Sequence, residues 1–474
     1  MLAYLNFIIH IFNNFILAYF FLINSFYLFF LIFSLFGIFR YRSLTSNVRM
    51  NEVLSLPLAK PVSIIAPAFN EELNIIESVK SLLSLQYPLH EVIVVNDGSD
   101  DLTLEKLIRT FDLKKVKKVF KKSIETQPIR GIYVSPLEPK LVVVDKINGK
   151  KADALNAGLN VSRYPLFCAI DTDSVLDRDA LLKVARPFHE DPERTVGAGG
   201  IVSLSNGCVI ERGRILRVRL PRNFFVRFQI IEYLRAFLGG RMALSMLKSI
   251  LVISGTFGIF RKDIALQIGG YRNDTIGEDM DLVVRMRKYL HEQKRPYRIT
   301  FIPDPICWTE APETLKGLER QRNRWHRGLI ESLFHSFKMF LNPRYGATGM
   351  FAMPFYVIFE MFGPLLELLG YVIFACYVFL GKVNYPFALD FFLLAIVFGT
   401  LISLAAILLE EFFLRRYPRL TDILIIIAFG VLENFLYRQF LSFVRAKAFF
   451  DLTRGEKKWG QMERKGFVIE QSHS

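Results

Sequence analysis

The chain has 474 residues, 52% of them hydrophobic and 45 of them Phe, with a net charge of +15 and a pI near 9.5. That length accommodates a soluble domain of about 250 residues beside a membrane portion. The positive charge is spread along an apolar chain with no legible nucleic-acid module, which argues against nucleic acid and for attraction to anionic headgroups or a phosphorylated substrate.

From Phe15 to Phe39 there is no charged residue, which exceeds the roughly 20 residues that a bilayer-spanning helix needs. Residues 2–14 are also apolar, but Asn6, His10, Asn13 and Asn14 predict a segment lying at the interface. With no basic start and no small-residue cleavage site before Arg40, residues 1–40 read as a retained anchor rather than a secretory signal. Arg40, Arg42, Arg49 and Lys60 follow, so the positive-inside bias places the next domain, residues 41–310, in the cytoplasm.

In that domain "PVSIIAPAFNEE" runs from a strand at Val62 to Ala66 through a polar turn into a helical pattern ending at Leu83. "HEVIVVNDGSDD" repeats the design, and "KLVVVDK" and "YPLFCAIDTDS" are further apolar runs that stop at polar residues. Strands alternating with helices predict a mostly parallel sheet, whose ligands bind beyond the carboxyl ends of the strands. The intervening lysine run "KKVKKVFKK", 114–122, reads as a solvated or lipid-facing loop. Asp97, Asp171 and Asp173 leave strands at the binding edge. A lone strand-end aspartate is as often a turn or cap residue. Two carboxylates two residues apart can instead meet Mg²⁺ or Mn²⁺ together with substrate phosphates. Cys168, Cys208, Cys307 and Cys376 lack metal-ligand spacing and suggest neither zinc nor disulfides.

The segments "PAFNEE", "NDGSDD", "GKKADALNAG", "DTDS", "SGTFGIFRKD", "GEDMDL" and "QRNRWHRG" follow one another in the order and spacing of a known family. The chain resembles the inverting family 2 glycosyltransferases, most closely the membrane-embedded processive members such as cellulose, hyaluronan and poly-N-acetylglucosamine synthases. The resemblance covers roughly residues 60 to 330. It implies a GT-A fold, an α/β Rossmann-like nucleotide-diphospho-sugar domain, here joined to an α-helical transmembrane region.

Carried over by motif, the resemblance makes Ala66 to Asn70 and Asp97 the uridine-binding portion and puts Lys151 near the nucleotide. Asp173 would contact the metal and Asp171 the metal or the nucleotide sugar. "GEDMDL" supplies Glu278 and Asp279 where many relatives have Thr-Glu-Asp, so Gly277 departs from the pattern. Asp279 is the expected general base for the acceptor hydroxyl; an acid complementing a helix N-terminus is the plainer reading of the same residue. Glu278 is its acidic partner. Ser254 and Gly255 of "ISGTFGIFRK" would touch the acceptor sugar, with a tight core turn as the alternative.

"QRNRWHRG" belongs to an expected interface-helix region, residues 311–345. Gln321, Arg324 and Trp325 fit the family's Gln-x-x-Arg-Trp signature, which implies contact with the diphosphate and the acceptor. Arg322, His326 and Arg327 carry no such match and read as headgroup anchors. Beyond lie three apolar blocks, about 349–380, 387–410 and 421–444, inside a membrane region spanning residues 346–445, and then a basic tail, 446–474. Arg415, Arg416, Arg419 and the tail all argue for the cytoplasmic side, which three full spans cannot satisfy. The preferred layout gives the first block an interfacial helix and a span, with 421–444 lying in the interface or folding back. Glu360, Glu367, Glu410 and Glu411 either face a polymer path or pair with arginines. Trp459 in the tail matches a segment that closes over the site in some relatives.

These readings converge on a processive synthase that extends a β-linked polysaccharide from a UDP-sugar, UDP-N-acetylglucosamine first and UDP-glucose second. Single-sugar transfer to a lipid carrier or lipid acceptor is the alternative. A non-enzymatic transporter or receptor would be expected to have lost acids that this chain retains.

Overall fold

The computed structural model describes residues 2–45, 59–172, 174–211, 214–381, 384–417 and 419–454. Asp173 and Trp459, both singled out above, lie outside the described residues. The chain opens with α1, Leu2–Thr45. At 1.5 Å per residue this helix is about 66 Å long, twice a bilayer core. Residues 2–14, expected at the interface, continue this same helix. Its last turns are held by protein: Ser34 donates to the Leu238 carbonyl, Tyr41 to Asp304 and Arg42 to the Phe413 carbonyl.

The soluble elements follow as β1 (Val62–Ala68), α2 (Ile75–Leu83), β2 (His90–Asp97), α3 (Thr103–Phe111), β3 (Lys114–Val116), β4 (Ile129–Val134) and β5 (Leu141–Lys146). Next come α4 (Lys150–Val161), β6 (Leu166–Ile170), β7 (Val175–Leu176), α5 (Ala180–Glu190), β8 (Thr195–Leu204), β9 (Val209–Glu211) and β10 (Arg214–Arg217). Helix α6 (Phe224–Leu234) runs on through a π-helical stretch, Arg235–Arg241, and is followed by β11 (Phe257–Arg261), α7 (Lys262–Gln267), α8 (Glu278–Glu292), β12 (Arg298–Thr309) and α9 (Leu315–His335).

Among the described residues ten strands form one sheet in the order β3-β4-β5-β2-β1-β6-β11-β8-β12-β7. The run β5-β2-β1-β6 is parallel, and its strands are buried almost throughout, which is why they read as continuous Val/Ile/Leu segments. The sheet is nevertheless mixed rather than mostly parallel. β11 enters antiparallel between β6 and β8, and β3 and β4 form an antiparallel edge. β3 and β4 are joined with no helix between them, and β11, though reached through α6, runs against both of its neighbours, so neither repeats the parallel strand–helix–strand unit on which the expectation rests.

Among the described residues four helical runs are long and apolar enough to cross a membrane: Ile9–Thr45, Thr348–Phe379, Tyr385–Phe413 and Leu420–Thr453. Within the last three, α10 is Gly363–Phe379, α11 Tyr385–Phe392, α12 Gly399–Phe413, α13 Leu420–Leu432 and α14 Arg438–Thr453. The last run breaks at Phe435 and Leu436, where Leu436 takes the left-handed φ of 67°. Helix α13 packs on α6 and α12, whereas α14 packs on α9 and α10. Four acids of these runs have partners. Glu433 pairs with Arg235 at 2.9 Å, and Glu410 accepts from the Arg416 backbone at 3.2 Å. Glu360 accepts from Tyr27 and Glu367 from Ser442.

Candidate active site

The carboxyl ends of β1, β2, β5 and β6 meet along one edge, as βαβ connections require. At the end of β2, Asp97 is buried, and its Oδ1 accepts from Lys146 Nζ at 2.5 Å and from the Gly149 amide at 3.0 Å. Lys146 is fully buried at the end of β5, also stands 2.6 Å from Asp153 and donates to the Ile147 carbonyl. Burial pushes the Asp97 carboxyl up, against the opposing pull of Lys146. Gly98 turns the chain here with φ of 68°, and a Cβ on it would lie 2.8 Å from the Asn148 amide nitrogen. Asn70 is exposed and accepts from the Asp100 amide. Ala66, expected at the uridine, is fully buried within β1 opposite Val94, two residues before the strand ends.

Lys151 opens α4 and gathers the acids of the site. Its Nζ stands 2.6 Å from Asp171 Oδ1 and 3.2 Å from Glu278 Oε1. Burial alone would lower the ammonium pKa, but Asp171, Glu278 and Asp279 outweigh it and hold the group well above the ordinary lysine range. Glu278 is 8% exposed, and burial raises its carboxyl while Lys151 pulls it down. Asp279, in the first turn of α8, accepts from the Gly255 amide at 2.8 Å and from the Met280 amide at 2.8 Å. A Cβ on Gly255 would lie 3.3 Å from both Asp279 Oδ2 and Lys151 Nζ, so the glycine lets backbone approach the acids closely. Ser254 bonds Thr256 side chain to side chain at 2.8 Å. Arg241, absent from the sequence reading, ends the π-helical stretch with its guanidinium 4.0 Å over the Phe237 ring. Burial lowers its pKa, opposed by Tyr356 and Asp279.

Helix α9 carries "QRNRWHRG". Trp325 is 43% exposed, beside the Tyr233 ring at 6.3 Å and under the Arg322 guanidinium at 4.3 Å. Gln321 is buried and accepts from Arg322, and Arg324 is half-buried. The anchor expectation for the basic neighbours fails. Arg322 is 1% exposed and bidentate to Glu232 of α6 at 2.8 and 2.9 Å, with His326 and Arg327 at 4% and 8%. The reason is that Leu318, Arg322, His326, Ile330 and Leu333 share one buried face of the helix at helical spacing. Glu232 accepts further from Tyr437 at 3.1 Å and stands 3.6 Å from Arg445 of α14. The base of α9 is tied to the loop before α8, where Glu331 accepts from Thr275 and from the Ile276 amide.

The sequence profile described as Glycosyl transferase family group 2 matches residues 166–402, half of the chain. The poly-beta-1,6-N-acetyl-D-glucosamine synthase of Staphylococcus epidermidis is 28% identical over 277 residues, which cover 58% of this chain and 56% of that protein. The enzyme of the same name from Staphylococcus aureus (strain COL) is 27% identical over the same length and shares. The chain thus spans about half the length of the curated relatives it matches. Among solved structures, a mannosyltransferase from Pyrobaculum calidifontis in complex with GDP-Man and Mn²⁺ covers 92% of this chain and 99% of its own, at a TM-score of 0.49 and 16% identity. By the profile match, this chain is a member of glycosyl transferase family group 2.

Proposed function

We propose that the chain is an inverting, metal-dependent hexosyltransferase that extends a β-linked polysaccharide from UDP-N-acetylglucosamine at the membrane, with its catalytic domain in the cytoplasm. The observation that carries this reading is the convergence of Asp171, Glu278 and Asp279 on Lys151 at the sheet edge of a family member. The donor follows the name of the curated relatives, with UDP-glucose next.

In this reading Asp97 and Asn70 hold the nucleoside end, and Lys151 sets the spacing of the acids around the diphosphate. Asp279 takes the proton of an acceptor hydroxyl as that oxygen bonds to the anomeric carbon. The bond to the diphosphate breaks on the opposite side, and UDP leaves with its electron pair, so an α-linked donor gives a β-linked product. The Gly255 amide, donating to its Oδ2, fixes the direction of the Asp279 carboxylate. Oxygen donors such as Asp171, with Glu278 and Asp279 nearby, suit a hard cation. Asp171 and Asp173 would hold Mg²⁺ or Mn²⁺, which when bound supplies positive charge to the diphosphate. Gln321, Arg324 and Trp325 serve the acceptor and diphosphate, and Ser254 and Gly255 serve the acceptor.

The test is purified protein in lipid, given a panel of radiolabelled UDP-sugars with Mg²⁺, Mn²⁺ or a chelator, with products sized on gels. A metal-dependent ladder or high polymer from UDP-N-acetylglucosamine supports the proposal. One sugar added to lipid would assign single transfer instead, and α-linkages in the product would remove inversion.

A further inference from the structure

At the far end of α4 from Lys151, about 15 Å along the helix, lies a second concave site. It is a cavity of about 230 Å³ bordered by Lys118, Lys121, Ser123, Arg163 and Lys262, roomy enough for several waters. The lysine run at 114–122, expected to be a solvated or lipid-facing loop, begins as strand β3 and then supplies one wall. The end of that wall is anchored: buried Asn160 accepts from the Ser123 and Ile124 amides at 3.0 and 3.1 Å and donates to the Ile124 carbonyl at 2.8 Å. Lys262 is held from the other side, donating to the Ser162 carbonyl at 2.5 Å.

The charges are unbalanced. Four cations border the cavity, and the carboxylate facing them, Glu91, is already engaged by Arg163 at 2.8 Å and by Ser63 at 2.6 Å. Among the described residues Lys118 and Lys121 make no ion pair. Burial holds the Lys118 and Lys262 ammonium groups below the ordinary range. Glu91 counters this in both, and the neighbouring cation, Arg163 for Lys118 and Lys118 for Lys262, adds to it. Like charges kept together around an open cavity are relieved by an anion, and ammonium and guanidinium donors suit phosphate oxygens.

We propose that this cavity is a second anion site, separate from the donor crevice, that takes a phosphate-bearing ligand, whether a soluble phosphorylated compound or a lipid headgroup. The full chain in phosphatidylcholine nanodiscs is titrated calorimetrically with pyrophosphate, without divalent cation. Binding in the wild type should weaken at least tenfold in Lys118→Gln/Lys262→Gln. The exposed Lys121→Glu, which alters no buried contact, should weaken it as well and serves if the double variant does not fold. Repeating the wild-type titration with phosphatidylglycerol in the discs separates the sources. A tenfold loss of pyrophosphate affinity assigns the site to a headgroup, and unchanged affinity assigns it to a soluble ligand. Absence of binding to the wild type in neutral discs, or equal binding by all three proteins, would overturn the proposal.

Discussion

Gly277 and Gly328 stand backbone against backbone. A Cβ built on Gly277 would lie 2.7 Å from the Gly328 carbonyl oxygen, and one on Gly328 would lie 2.8 Å from Gly277 Cα. This contact joins the residue before the acidic pair of α8 to α9, three residues after Trp325, and it gives the missing threonine of the Thr-Glu-Asp pattern a physical reason. Main chain cannot yield as a flexible side chain does, so Gly277→Thr and Gly328→Ala should each destabilise by about 1–3 kcal/mol and force α8 and α9 apart. Sugar transfer should fall at least tenfold in each, read beside thermal midpoints. Wild-type turnover in Gly277→Thr would show that the two helices need not touch.

Asp279→Asn keeps the shape and removes the proton acceptor. Transfer should be abolished while UDP binding by calorimetry stays near the wild-type value, because the residue faces the acceptor side in the proposed mechanism. Retained turnover would take the base role from Asp279. Lys151→Met should act differently, leaving Asp171 and Glu278 without the cation between them and weakening donor binding first.

Arg322 and Trp325 are in contact yet should separate by assay. Arg322→Met strands the Glu232 carboxylate, and breaking such a buried pair costs about 3–5 kcal/mol, tempered here by Tyr437 and Arg445. Half-exposed Trp325 loses mainly its stacking with Arg322, about 1 kcal/mol, so Trp325→Ala should melt close to the wild type while losing polymer formation. Unchanged polymer formation in Trp325→Ala would remove the tryptophan from the acceptor site.

His326 makes stability depend on pH. Burial first, and then the Arg445 guanidinium, push its imidazole down to about 3 from the ordinary 6.5. Between these values the unfolded chain binds a proton that the folded chain excludes. The contribution is therefore fully present above pH 6.5 and is lost as the pH falls toward 3. At about 1.4 kcal/mol per pH unit, the loss from pH 7 to pH 5 is about 2 kcal/mol. His326→Phe should lose that much less over the same interval in denaturant titrations. An identical loss in both proteins would place the acid sensitivity elsewhere.

Much of this was legible because the chemistry sits where strands end. Asp97 and Asp171 were visible from apolar runs stopping at acids, and the order of seven motifs supplied the family and, through it, the 278–279 pair. Lys146 was not, since a lysine closing a buried strand reveals its partners only once β2, β5 and α4 are packed together. The basic residues of "QRNRWHRG" misled for a related reason. Charge marks a residue as polar, but the position of Arg322 and His326 on the Leu318–Ile330–Leu333 face decided their burial, and that stripe was available in the sequence. The break at Leu436 had no such signal, as "ENFLYRQ" holds neither Gly nor Pro.

Glu232 shows where the protein can be cut. It pairs with Arg322 on α9, but Tyr437 and Arg445, which complete its surroundings, come from the last membrane run. His326 likewise rests its ring against Phe449, and Asn323 bonds Asp451. A soluble fragment ending before Thr348 would retain every acid of the crevice yet strip one flank of α9. Crystallisation or inhibitor screening on such a fragment would meet an aggregating, loosened helix, so the membrane-embedded whole is the smallest unit worth purifying.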